Sequence, residues 1–264
     1  MQLNYNQSFQ PAVAGGLIYP FSENTILTYS NPTEQIQWGK GLVIYTPGGG
    51  GGGGTPPSGL CRLPSSGGDA ANFIGVALRD TSSMLNYHEQ YSAVGVLRRG
   101  QVAVQVEQNV TDLSPVFVRY AASSQVQTLT FSGATVTENI ISVNVDGFVV
   151  SVTFTTDNAT TLAALATAIQ ARPRVLTALS DGASVITVTT QLNQQPISIN
   201  SATVTGGASQ PTITRAITSA GAMDGDRGNF RADADSSTAF AVPTAKYLTA
   251  ANAGQIAIVD LNIP

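Results

Sequence analysis

Val94-Gly95-Val96-Leu97-Arg98-Arg99-Gly100-Gln101-Val102-Ala103-Val104-Gln105-Val106 is the stretch that decides the fold class. Valine recurs at every second position on both sides of Arg99-Gly100, with small or polar residues between. That period buries one face of a strand and leaves the other nearer solvent. Arg99-Gly100 reads as the turn of a hairpin. Outward from it the pattern repeats. Asn24 to Tyr29, Gly41 to Tyr45, Phe73 to Leu78 and Pro115 to Tyr120 are short runs rich in β-branched and aromatic residues. Gly, Pro, Asn and Asp punctuate them, which is the signature of an all-β fold with many short strands. Ala239 to Val242 and Gly254 to Leu261 read as the last strands.

From Gln125 the texture changes. Thr, Val and Ala dominate as far as Arg215, and aromatic residues nearly vanish. Ile141 to Val145 alternates, Asp146-Gly147 makes a two-residue turn, and Phe148 to Phe154 alternates again. Asp157-Asn158-Ala159-Thr160-Thr161 is a cluster of N-cap residues. Leu162, Leu165 and Ile169 follow at helical spacing, and Pro173 stops the helix. Val185 to Thr189 and Pro196 to Ile199 read as two further strands. The expected organisation is an N-terminal arm at 1–20, a small β-barrel or β-sandwich domain from 21–124 plus 216–264, and an inserted α+β module at 125–215 containing one short helix. Insertions of this kind are tolerated where two strand ends lie close together.

Composition narrows the function. Charged residues make up 11 % of the 264, hydrophobic ones 42 %, and the net charge is −4. An average soluble protein carries about 25 % charge. Solubility here rests on neutral polar groups, which cost less than charges to desolvate against another protein. No Lys/Arg run supplies the basic stripe that nucleic acid needs, so no nucleic-acid partner is expected. No apolar stretch reaches membrane-spanning length, so no membrane partner is expected either. The N-terminus lacks a basic-then-apolar export signal. Cys61 is alone, which excludes an intramolecular disulfide.

The chemical inventory is thin. Seven glycines run from Gly48 to Gly54, followed by Thr-Pro-Pro. The Lys-Ser/Thr of a phosphate loop is missing, so the run reads as a loose surface loop. His88 is the one histidine and sits in a loop between aromatics. Zinc needs partners that it does not have, and no Gly-x-Ser-x-Gly elbow accompanies it. Asp224, Asp226, Asp233 and Asp235 raise a calcium reading, but their spacing fails the helix-loop-helix calcium pattern and Arg227 and Arg231 lie among them. The expectation is therefore no catalytic residue, no cofactor and no metal.

Phe73-Ile74-Gly75-Val76-Ala77-Leu78, Tyr91 to Val102 and Asp112-Leu113-Ser114-Pro115-Val116-Phe117-Val118-Arg119 resemble the structural cement, or head decoration, proteins of tailed bacteriophages. Gly228-Asn229-Phe230-Arg231-Ala232-Asp233, Val242 to Leu248 and Gly254 to Leu261 resemble the same family's last strands. The resemblance covers roughly the first ~120 and last ~50 residues, with the Gln125 to Arg215 segment outside it. It implies a structural protein of the virion, not an enzyme, that is made in the bacterial host cytoplasm. It implies non-covalent clamping of the major capsid protein on the outer surface of the head, with self-association as a trimer in preference to a dimer. The arm is expected to make the capsid contact with Tyr5, Phe9 and the adjoining Phe21 as anchors, because aromatics in a polar segment ask to be buried, the alternative for Phe21 being a place in the core. The alternative is a head-fibre or tail adhesin that binds host-surface glycan through the inserted module. It predicts an exposed aromatic platform there.

Overall fold

A computed structural model describes residues 13–18, 24–47, 59–82 and 85–264. They separate into two units, one from the described residues of Met1–Ala121 and Asp226–Pro264, the other Ala122–Gly225. The chain enters the first unit through β1 (Thr25–Ser30), β2 (Ile36–Gln37), β3 (Gly41–Ile44) and β4 (Cys61–Arg62). It continues through β5 (Phe73–Ala77), β6 (Tyr87–His88), β7 (Ala93–Gln105) and β8 (Phe117–Arg119). The second unit holds β9 (Ser123–Phe131), β10 (Ile140–Val145), β11 (Phe148–Thr153), α1 (Asn158–Gln170), β12 (Val175–Ser180), β13 (Val185–Thr190), β14 (Ile199–Thr205) and β15 (Ile213–Ala222). The first unit then closes with β16 (Phe230–Arg231), β17 (Ala239–Ala241), β18 (Ala245–Tyr247) and β19 (Ile256–Asn262).

Among the described residues the architecture is mainly β with one α-helix, as the alternating runs predict. In the first unit a seven-stranded sheet runs β18-β19-β7-β5-β3-β4, with β1 also on β7. A three-stranded sheet, β16-β8-β17, contributes Val118, Phe230 and Phe240 to a core shared with Val43, Val76, Leu97, Val102, Val104 and Val259 of the large sheet. The sheets do not close on themselves, so of the two expected shapes the barrel is absent and the arrangement is sandwich-like. A second cluster, including Ile36, Leu42, Cys61, Ile74, Val94 and Val96, also draws on the large sheet.

The turn expected at Arg99-Gly100 does not exist. β7 runs unbroken for 13 residues. Its first half pairs with β1, from Ser30↔Ala93 to Thr25↔Arg99, and its second half with β19, from Asn262↔Arg99 to Ile256↔Gln105. The pairing with β1 slips at Arg98: Thr25 faces Arg99, but Ile26 faces Leu97. One extra residue in β7 is a bulge, and Gly100 at φ 120° follows it. The bulge reverses the alternation. Val94 and Val96 join one core, whereas Leu97, Val102 and Val104 all join the other although 97 and 102 differ in parity. A glycine inside an alternating run suits a turn and a bulge equally well, and here the bulge lets one strand serve two cores.

In the second unit the hairpin forms as read. Asp146 (φ 52°) and Gly147 (φ 87°) make the turn between β10 and β11. Asp157 caps α1, accepting from the Thr160 N–H at 2.7 Å. Leu162, Leu165 and Ile169 point into a core shared with Leu129, Ile141, Val143 and Ile186. The strand expected at Pro196 to Ile199 starts instead at Ile199, because Ile197 and Ser198 bond to the side chains of Gln125 and Asp146.

Cys61 is fully buried, and burial pushes its thiol up to about 12. A thiol reagent such as dithionitrobenzoate is therefore expected to leave the native chain unmodified near neutral pH and to titrate one thiol after denaturation. Rapid reaction of the native protein would contradict this burial.

Candidate functional site

Tyr5, Phe9 and Phe21, the expected capsid contacts, lie outside the described residues, as do Gly48 to Gly54. Of the expected arm, 13–18 are described, and they pair with β7. Gly15 N–H donates to Ala103 C=O at 2.8 Å, Ala103 N–H to Gly16 C=O at 3.0 Å and Ile18 N–H to Gln101 C=O at 3.2 Å. Arg79 N–H also donates to Gly15 C=O at 2.9 Å. A Cβ at Gly15 would fall within 2.9 Å of backbone atoms of Ala77 and Gly39, so only glycine passes there. Residues 15–18 are thus tethered to the central strand of the first unit.

β1 presents a surface that the sequence did not reveal. Five of its six residues are exposed, including Ile26 at 45 % and Leu27 at 40 %. One edge pairs with β7. Among the described residues the other edge is engaged only at Ser30, by Gly59 and Leu60. An open edge beside exposed apolar side chains is a template for another chain. Beyond its end, Tyr91 N–H donates to Asn31 C=O at 2.6 Å, and the Tyr91 side chain is 76 % exposed on a backbone at φ 64°. A non-glycine residue in that region costs free energy unless its surroundings hold it. Sequence reasoning missed Tyr91 because a lone tyrosine in a polar loop carries no periodic signal.

In the aspartate-rich segment, Asp233 and Asp235 are engaged by buried guanidinium groups. Arg119, 1 % exposed, donates Nε–H to both carboxylate oxygens of Glu107 at 2.7 and 2.8 Å and Nη2–H to Asp235 at 2.6 Å. Its Nη1 donates to Thr238 Oγ1 at 2.9 Å and Ala121 C=O at 3.1 Å. Arg231 bridges Glu107 at 3.0 Å, Asp235 at 3.0 Å and Asp233 at 2.6 Å. Burial alone would lower the Arg119 pKa, but the Glu107 and Asp235 hydrogen bonds outweigh it and raise it. For Asp233, burial pushes upward while hydrogen bonds from Gln108 and Arg231 hold the carboxyl below its usual range. These carboxylates are neutralised by guanidinium groups, and no group of three or more His, Cys, Asp or Glu suited to a metal occurs among the described residues.

His88 is 6 % exposed, lies in β6 and bonds the Leu78 carbonyl through Nε2 at 2.8 Å. It is a core residue rather than the loop histidine expected. The second unit contains a cavity of about 500 Å³ lined by Gln127, Ile197, Asn200, Arg215 and Ile217 among others. Of its three aromatics, Phe131 is buried, Phe154 half-buried and Phe148 exposed.

A family model described as "Structural cement protein (E217 gp24/Pam3 gp6)" matches residues 1–170. The match runs through α1, further than the ~120 N-terminal residues that carry the resemblance in the sequence. No curated protein matches the chain. A solved structure from Mycobacterium phage Patience is similar over 93 % of this chain and 99 % of that one, at 15 % identity and a TM-score of 0.36.

Proposed function

Because this chain belongs to the phage structural cement protein family, a family of structural rather than catalytic proteins, we propose that it clamps the major capsid protein lattice from the outer surface of the head. The observation that carries the reading is the pairing of that family match with an apolar open edge at β1 and a protruding Tyr91. The clamp is non-covalent. The N-terminal arm supplies Tyr5 and Phe9, with Phe21 just past it, and β1 with Tyr91 supplies a second patch. Two patches on one subunit add avidity, because the second contact is effectively intramolecular. A trimer at a local symmetry axis would multiply it. Binding only to the assembled lattice then shifts the shell away from disassembly. The polypeptide is made in the host cytoplasm and joins the finished head.

The test is add-back to heads that lack the protein, followed by imaging and by thermal release of DNA. Deleting Met1 to Gln10 is expected to abolish head binding while the circular dichroism and melting temperature of the free chain stay unchanged. Tyr91→Ala is expected to weaken binding about 30-fold, the loss typical of an interface aromatic worth ~2 kcal/mol. Full binding by the truncated chain would remove the arm from the mechanism. Full binding by both variants would remove the clamp as drawn.

A further inference from the structure

Lys40 and Asn229 are far apart in sequence and touch within the first unit, where Lys40 is buried and Asn229 half-buried. Lys40 is 5 % exposed, and its Nζ lies 2.6 Å from Asn229 Oδ1. The backbones on either side are locked together. Gly41 N–H donates to Gly228 C=O at 2.8 Å, Ala77 N–H to Lys40 C=O at 2.9 Å, and Arg119 N–H to Asn229 C=O at 3.0 Å. Gly228 sits at φ 80°, and a Cβ there would meet Lys40 Cβ at 3.0 Å. The approach of the two segments thus depends on a residue without a side chain. On the far side of the amide, Asn229 Nδ2 faces Asp226 Oδ1 at 3.4 Å. A buried amine, a half-buried carboxamide and a half-buried carboxyl group are therefore lined up in one place.

We propose that Lys40 and Asn229 become joined by an isopeptide bond that the folded protein forms by itself, with Asp226 moving the protons. The neutral Nζ attacks Asn229 Cγ, and the carbonyl π electrons move onto Oδ1. Asp226 takes a proton from the attacking nitrogen and delivers one to Nδ2. The carbonyl re-forms as the Cγ–Nδ2 bond breaks, and ammonia leaves. Amine plus primary amide gives secondary amide plus ammonia, so no oxidant, cofactor or energy source is required.

Three physical conditions favour the step. Burial lowers Lys40 to about 8 against the opposing pull of Asp226 and Glu107, with Arg227 and Arg119 helping to lower it. An appreciable share of the amine is then unprotonated near neutral pH, as a nucleophilic lysine requires. The reacting groups are held at contact distance by backbone hydrogen bonds, which replaces a bimolecular encounter with an intramolecular one. The proton-transfer group is already within reach of the departing nitrogen, in a geometry that can tighten during reaction. Such a bond would close a covalent loop across the point where the chain returns to the first unit.

Intact-mass measurement and peptide mapping of the full chain test this directly. The wild-type protein is expected to weigh one ammonia less than its sequence. A tryptic species should join the peptides containing residues 40 and 229, with Lys40 uncleaved. Lys40→Met and Asn229→Ala should both restore the full mass. Asp226→Ala should leave the two peptides unjoined while residues 40 and 229 remain in place. Separate recovery of the two wild-type peptides overturns the proposal, whether or not any variant folds. So does an ammonia loss mapped elsewhere, such as a cyclised Gln2 after removal of Met1. Equal joining in Asp226→Ala would overturn the role given to Asp226.

Discussion

Arg119→Met is expected to destabilise the first unit by about 3–5 kcal/mol, the usual cost of removing one partner from a buried ion pair. Methionine fills much of the same volume but donates nothing. Glu107 and Asp235, at 14 % and 10 % side-chain exposure, would each lose a guanidinium partner and keep Arg231. The Ala121 carbonyl and the Thr238 hydroxyl would lose their donor as well. Lysine should rescue little, because one ammonium cannot match both oxygens of Glu107 and still reach Asp235. Trp38 is the single tryptophan and lies in the first unit, so its fluorescence in a urea titration reports this unit. The midpoint should fall with the slope unchanged. Combining Arg119→Met with Glu107→Leu should cost less than the two losses added, since they share a partner. A shift below about 1 kcal/mol would mean that the cluster behaves as an exposed ion pair.

Gly75→Ala is expected to be as severe, above about 4 kcal/mol or without a folded first unit at all. Gly75 lies in β5 at φ 140°, and a Cβ there would sit 2.0 Å from the Leu97 carbonyl oxygen and 2.8 Å from its carbon. Both atoms are backbone of the neighbouring strand, so no side-chain rotation relieves the overlap. Relief requires β5 to part from β7, which would break the pairs Val76↔Leu97 and Ala77↔Val96 and open both cores. Gly95→Ala in β7 is the matched control. Its added methyl would meet Leu78 Cβ at 3.8 Å, an ordinary contact, and the change should stay within about 1 kcal/mol. Equal stability of the two variants would show that β5 yields more readily than its hydrogen bonding implies.

The legible parts of this fold are those where one local rule decides. The β10–β11 turn follows from Asp146-Gly147, and α1 from the Asp157 cap and the spacing of Leu162, Leu165 and Ile169. The bulge in β7 was not legible, because its cause is the demand of two cores on one strand, a tertiary fact. β15 escaped for another reason. Most of β15 is exposed, and its Thr, Ser and Ala residues show no alternation that would separate strand from loop. At the candidate site the aspartates stood out in the sequence. Their partners Arg119 and Glu107 lie more than a hundred residues upstream, and nothing local connects them. Lys40 and Asn229 were invisible for the same reason.

The first unit breaks off at Ala121 and resumes at Asp226, and the two stumps are already hydrogen-bonded. Gly228 N–H donates to Arg119 C=O at 2.8 Å, and the next residue returns the favour, Arg119 N–H donating to Asn229 C=O. The seam between them is therefore zipped without help from the hundred-odd residues that it interrupts. A foreign domain entering through that seam would leave the pairing beneath it in place.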